Sequence, residues 1–499
     1  MQDVRGVRGA LLLVVMLSVP GCSSKKEPPP APTTAPAPAP TPAPAPTPAP
    51  PPAPAASAAA LAFRDAVHTP PPGWSGPVFK LSHDYPRTKP VCDAPWLKRK
   101  VSFSDPAPKW NAEWQGYVQD IVDYTWDGQD PDLPDAVGWR DTIERKAGGK
   151  ETRWFHIPWM AFDGQRGREF VHGLTNELAV PRSTFIGRGS GQHHLAGARA
   201  KDGVDPVFET WSIGYYNPCG AASVGEGWPA TGEPAVETRD GRMLAKGLPF
   251  PEGTVVIKIL NTTADASEVS YLEGSTTWQA HAHKQLSPTK YATCDREVRK
   301  VHMIQMDLAV VDPRSPTRWV YSTLAYDHRV KGKTVRERLT PLGVQWGSDP
   351  GTFPAVAQAQ SKPLRETLRA PINIPEHYGC SKRLAGVVDQ ADSSCVSCHM
   401  AAYAAAPGVL VNLGVNVADP FQFQDICTKF TPTNQSYFSD YAYPSPFPGS
   451  TGEIAKAIPL DSSLQVQVAF AQYAVFKNPS APRTCPDAGS APPQPAAPR

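Results

Sequence analysis

The chain has 499 residues, enough by length for two or three domains. Lys and Arg total 49 against 47 Asp and Glu, a formal net charge of +2, and charged residues make up only 19%. That balance gives no reason to expect nucleic acid or another acidic polymer as partner.

Taken in order, the chain opens with Arg5 and Arg8, an apolar run over 10–19, and then Pro20-Gly21-Cys22. A charged segment, an apolar segment and a small residue before the cut are the pattern of a secretory signal. The cysteine directly after Gly21 resembles a bacterial lipoprotein cleavage site, which implies a lipid on Cys22 of a mature protein beginning there. Residues 1–22 are thus expected to be signal peptide and lipidated cysteine, placing the protein on the periplasmic side of the envelope, at the outer membrane or cell surface. A plain secreted protein is the alternative. No later stretch is apolar for long enough to span a bilayer.

Residues 23–62 read as a disordered linker. Most of it is a Pro-Ala alternation that cannot build a core and favours extended polyproline II. At about 3.1 Å per residue it reaches up to roughly 90 Å. A second Pro-rich stretch, 488–499, reads as a disordered tail.

The globular remainder divides in sequence at Phe250. Residues 63–249 are rich in Trp, Gly and Pro, read as irregular, and have no assignable role. Within them, 109–125 carries Trp110, Trp114, Val118, Ile121 and Val122 at helical spacing. His156, Met160 and His172 lie in dense aromatic and polar stretches; each is either a core residue or a candidate metal-ligating side chain. The glycine-rich 187–194 reads as a loop. His281 and His283 share a face if their segment is a strand, half of a metal site with no third ligand marked.

Residues 250–487 turn to short strands. Residues 254–260 form a β-branched run interrupted by Lys258, on the same face as Val256 and Leu260. Two further runs cover 302–311, with Asp307 sharing a face with Met303 and Gln305, and 319–326. The fold class expected is α+β, mainly β, built on an antiparallel sheet.

The strongest motif is Cys395-Val396-Ser397-Cys398-His399. Two thiols three residues apart, with a histidine beside the second, read as a c-type haem attachment site. One short turn presents both sulfurs to the two vinyl groups of a single porphyrin and brings an imidazole to the iron. The competing reading is a zinc or redox Cys-x-x-Cys, but no second such pair completes a tetrahedral site. One covalent haem c is therefore expected, with Cys395 and Cys398 as attachment points and His399 as axial ligand. No methionine or histidine follows Met400, so a sixth ligand comes from upstream or the distal face is open. Setting aside Cys22, Cys395 and Cys398 leaves Cys92, Cys219, Cys294, Cys380, Cys427 and Cys485. That even number suits disulfides in an oxidising compartment, with the pairing open.

Phe250-Pro251-Glu252-Gly253-Thr254-Val255-Val256-Ile257-Lys258, Ile304-Gln305-Met306-Asp307, Arg318-Trp319-Val320-Tyr321 and the late Cys395–His399 motif together resemble the cytochrome P460 and cytochrome c′-β family, over the C-terminal half only. The resemblance implies a mainly β monohaem protein. It also implies a lysine at Lys258 that cross-links to the porphyrin and an acidic proton carrier at Asp307, where the family has a longer glutamate. Members oxidise hydroxylamine or bind nitric oxide. Three roles stay open: electron transfer with a redox partner protein, small-molecule redox catalysis using Lys258 and Asp307, and gas binding without turnover.

Overall fold

The computed structural model describes residues 65–67, 69–76, 83–126, 142–143, 152–163, 167–170, 175–181, 207–239, 242–246, 248–284, 294–350, 352, 363–372, 378–379, 382–386, 394–404, 438–440, 443–444, 457–478 and 485. Cys22, the 23–62 linker, His172, the 187–194 loop, Cys380, Cys427 and the 488–499 tail lie outside them. All described residues fall within one unit, Ala53–Arg499.

The main elements are helix α1 (Ala112–Trp126), strands β1 (Thr175–Pro181) and β2 (Val207–Tyr216), helix α2 (Pro218–Gly227), and strands β3 (Val255–Thr262), β4 (Thr277–His283), β5 (Arg296–Val311), β6 (Trp319–Tyr326), β7 (Leu339–Gln345) and β8 (Thr367–Arg369). After these come helix α3 (Cys395–Met400), the short pair β9 (Tyr403–Ala404) and β10 (Ile458–Pro459), and helix α4 (Leu464–Lys477). The strands β1 to β8 make one eight-stranded sheet in the order β8-β7-β6-β5-β3-β2-β1, with β4 paired to the first half of β5. Every pairing in it is antiparallel. The fold is mainly β with a few helices.

Both faces of the sheet are covered. On one face α1 packs Trp114, Tyr117, Val118, Ile121 and Val122 onto Ile213, Ile257, Leu308 and Val344. Asn111 caps that helix by accepting the Trp114 N–H at 3.0 Å, so it starts three residues later than the apolar spacing predicts. Trp114 stacks flat on Trp346 of the segment after β7, with centroids 4.9 Å apart. The other face carries Tyr216, Val256, Ala309 and Tyr321, packed with Val396 and Met400 of α3 and Val466 of α4. Because both faces are buried, the strands show no clean alternation of apolar and polar residues.

The sheet also crosses the sequence division at 249/250. Residues 63–249, read as irregular, supply β2, one of the most buried strands, and its neighbour β1. The long stretch between Trp319 and Cys395 adds β7 and β8 to the same sheet. Gly343 makes that addition sterically possible, since a Cβ there would lie 2.0 Å from the Leu368 carbonyl oxygen.

Two disulfides close long loops, Cys92–Cys219 across 127 residues and Cys294–Cys485 across 191. They settle part of the pairing the sequence left open. A loop of that size restricts the unfolded chain strongly, so a Cys92→Ser/Cys219→Ser protein is expected to lose about 2–5 kcal/mol of stability. Urea titration checks this; an unchanged midpoint would mean that the crosslink constrains nothing.

Candidate functional site

Helix α3 is short and held at its start. Ser394 is its N-cap: its Oγ accepts the Ser397 N–H at 3.2 Å and its carbonyl accepts the Cys398 N–H at 3.0 Å. Two further bonds fix it: Gln345 of β7 in the sheet accepts the Val396 N–H at 3.2 Å, and Leu384, outside the sheet, accepts the Cys395 N–H at 2.9 Å. Val396 and Met400 are buried, while Cys395, Cys398 and His399 are half-buried. Spacing of three residues on a helix puts the two sulfurs on one side, one turn apart.

His399 is oriented by two contacts. Its Nδ1 lies 2.9 Å from the Ser462 carbonyl oxygen, and its ring centroid is 4.7 Å from that of Tyr321. A carbonyl only accepts, so Nδ1 donates and the lone pair of the neutral ring sits on Nε2. The Ser462 carbonyl comes from a tight turn closed by the Ser463 N–H on the Leu460 carbonyl at 3.0 Å. Both central residues have positive φ, 45° at Asp461 and 66° at Ser462, the pattern of a type I′ turn without glycine. Left-handed backbone at a non-glycine residue costs of order 1–3 kcal/mol each and persists only where the surroundings enforce it.

Lys258 and Asp307 face each other across β3 and β5. The row continues to Thr323 on β6 and Gly214 on β2. It lies one step along the sheet from the row Tyr321–Ala309–Val256–Tyr216, on the face against which α3 packs. Asp307 accepts from Gln305 Nε2 at 3.0 and 2.9 Å and from Thr323 Oγ1 at 2.7 Å. Gln305 and Thr323 are fully buried, whereas Lys258 and Asp307 are half-buried. At the far end of the row, Gln465 of α4 lies where a side chain at Gly214 would be: a Cβ there would sit 2.0 Å from its Nε2. One expectation is corrected here. The register between β3 and β5 shifts at Leu260/Asn261, leaving Ile304 as an extra residue, and this bulge turns Met303 toward the α1 side of the sheet. Asp307 therefore shares its face with Gln305 but not with Met303.

Behind α3 lies a buried polar cluster. Ser397 Oγ is 3.0 Å from Ser348 Oγ, and the Ser348 N–H donates to Asp440 at 2.6 Å. Arg383, fully buried, donates to the carbonyls of Ser348, Asp349 and Thr352 at 2.8–3.0 Å. Glu366, next to Asp440 and Asp349, is pushed up to about 8, first by burial and then by the charge of Asp440. The native protein therefore holds a proton there that the unfolded chain releases in the ordinary glutamate range. The sign follows: stability is greatest below that range and falls as pH rises through it toward 8. Glu366→Gln, which carries no charge, is expected to flatten this fall in urea titrations between pH 5 and 8.5; equal slopes in the two proteins would show that Glu366 does not hold the proton.

The other side chains singled out in the sequence go elsewhere. His156 is buried against Tyr215, whose ring belongs to the α1 face, and burial together with His83 pulls its pKa well below the usual histidine value. Met160 is half-buried against the cluster that contains Val396 and Met400. His283 is buried with its Nδ1 hydrogen-bonded to Glu209, and His281, half-buried, is pulled down to about 4 by burial and by Arg296. Among the described residues no group of three or more His, Cys, Asp or Glu side chains could hold a metal ion. The residues that sequence reading missed are Asp461 and Ser462. The signal was present as Asp461-Ser462-Ser463, a turn and N-cap pattern just before the apolar start of α4. No family model, curated protein or solved structure matches the chain.

Proposed function

We propose that this chain is an exported, lipid-anchored monohaem c-type cytochrome, carrying one covalent haem c on Cys395 and Cys398 with His399 as axial ligand. The observation that carries the reading is the donation from His399 Nδ1 to the Ser462 carbonyl. That hydrogen bond fixes the tautomer whose Nε2 suits an iron, as the outer partner of a metal-bound histidine does. The donor set fits: two thiols one turn apart and an oriented imidazole on a capped helix. Bound there, the haem supplies an iron that exchanges one electron at a time. The protein's own part is to hold the ring plane of His399 between Ser462 and Tyr321 and to present both thiols from one helix face. The signal-like start, Cys22 and the two disulfides support export and lipid anchoring. Among the described residues no helix is long and apolar enough to cross a membrane. The partner is a redox protein or a small molecule, not nucleic acid.

A second reading is favoured by one observation. Lys258 and Asp307 are cross-strand neighbours on the face that meets α3, which supports P460-like oxidation of hydroxylamine or a related small nitrogen compound over electron transfer alone. Without such turnover, the same face serves nitric oxide or another gas as a binding site. Visible spectra of the purified protein, oxidised and reduced, with and without nitric oxide, separate these. A sharp reduced α-band indifferent to nitric oxide leaves electron transfer. A high-spin spectrum that responds to nitric oxide supports an open iron, and a reduced Soret band far to the red supports a cross-linked porphyrin. A protein with no haem spectrum at all overturns the proposal.

A further inference from the structure

Two segments far apart in sequence, one at Phe250 and one at Arg318-Trp319, converge on one carboxylate beneath the His399 acceptor. Asp461 is buried; its Oδ2 accepts the Phe250 N–H at 2.7 Å and Arg318 Nη1 at 3.1 Å, and its Oδ1 accepts Trp319 Nε1 at 3.0 Å. Arg318 closes the arrangement by donating from Nη2 to the Phe250 carbonyl at 2.8 Å. Arg318 itself has a φ of 66°, so its backbone too is held in the left-handed region. The last residue of the turn, Ser463, bonds Tyr216 at 2.8 Å, and Leu460 donates to the Ala402 carbonyl at 2.9 Å, just after α3. A turn with two left-handed non-glycine residues is thus fastened to the sheet, to the loop before β3 and to the end of the Cys395–His399 helix. Its one carbonyl that meets a candidate cofactor ligand is that of Ser462.

We propose that Asp461 is a positioning residue for the axial imidazole: it pins the 461–462 turn so that the Ser462 carbonyl keeps its hydrogen bond to His399 Nδ1. This rests on the haem reading above. An acceptor held at Nδ1 gives the imidazole more anionic character, strengthens its bond to iron and favours the oxidised state. Strain stored next to a ligand is retained because the surroundings over-determine it, and Asp461 supplies three of the hydrogen bonds that do so.

The test uses the full-length haem-loaded protein and its Asp461→Ala and Asp461→Asn variants, with Glu209→Ala as a buried-carboxylate control remote from α3. Midpoint potentials are measured for all four, with the iron–histidine stretching vibration of the reduced protein where the iron is five-coordinate. Asp461→Ala is expected to raise the potential and lower the vibration. Asp461→Asn, which tolerates the left-handed turn and retains one acceptor oxygen, is expected to shift both less. Glu209→Ala is expected to lose stability with neither signal moved. If Asp461→Ala does not accumulate, a shift in Asp461→Asn in the same direction supports the proposal, and none overturns it. Potentials unchanged in the Asp461 variants while haem stays bound overturn this assignment alone. Absence of haem from the wild-type protein overturns it together with the function it rests on.

Discussion

Exchanging Cys395 and Cys398 for serine is expected to abolish haem retention through denaturing electrophoresis, while the protein still folds. Serine keeps the shape of the side chain but forms no thioether. The fold around α3 depends on bonds the exchange leaves alone: the Ser394 cap, the Gln345 contact to Val396 and the burial of Val396 and Met400. The wild-type band stains for haem and the double variant does not. His399→Ala separates the two kinds of bond to the group. With the thiols intact, its band still stains, but its spectrum loses the signature of an axial imidazole. Elemental analysis covers the competing reading, because one zinc per chain without haem in the wild type would make the motif a metal or redox Cys-x-x-Cys. Stain persisting in the serine variant would sink covalent attachment at these two residues.

The sheet strands were legible where composition alone decides. The β-branched run at 254–260 became β3, and the aromatic run at 319–326 became β6 with no change of bounds. Strand β2 was not legible, because burial on both faces removes the alternation that marks a strand, and Gly214 lies within it. The helix over α1 was legible from its spacing, and its start depended on Asn111, which the spacing does not contain. Of the candidate site, the Cys395–His399 motif was within reach as a local pattern, and Lys258 and Asp307 were reached one by one through the resemblance; that they face each other across β3 and β5 was not legible. Neither was Asp461. Its role depends on Phe250, Arg318 and Trp319 meeting it from other parts of the chain, and no local pattern announces a contact across 142 or 211 residues. The bulge at Ile304 had the same character: one extra residue reverses the faces of a strand, and its sequence shows no glycine or proline to mark the place.

Asp307→Asn is expected to lower hydroxylamine oxidation by about 10²–10⁴-fold with haem content unchanged, if the second reading holds. The size follows from the loss of a proton-transferring group, not from loss of structure. Gln305 and Thr323 both remain, and an asparagine of the same shape still accepts from them through its oxygen. Asp307 is half-buried beside two fully buried partners, which fix its carboxylate while leaving it accessible. Lys258→Ala probes the other member of the pair. If the lysine is bonded to the porphyrin, the variant returns the reduced Soret band to the position of an ordinary c-type haem, and Asp307→Asn leaves that band where it was. The two variants thus read different chemistry on neighbouring residues of one row. Equal rates for Asp307→Asn and the wild type, in a protein that oxidises hydroxylamine, would remove Asp307 from the reaction. A wild-type iron that is six-coordinate and indifferent to nitric oxide would remove the whole row from it, leaving Lys258 and Asp307 as half-buried cross-strand neighbours on β3 and β5.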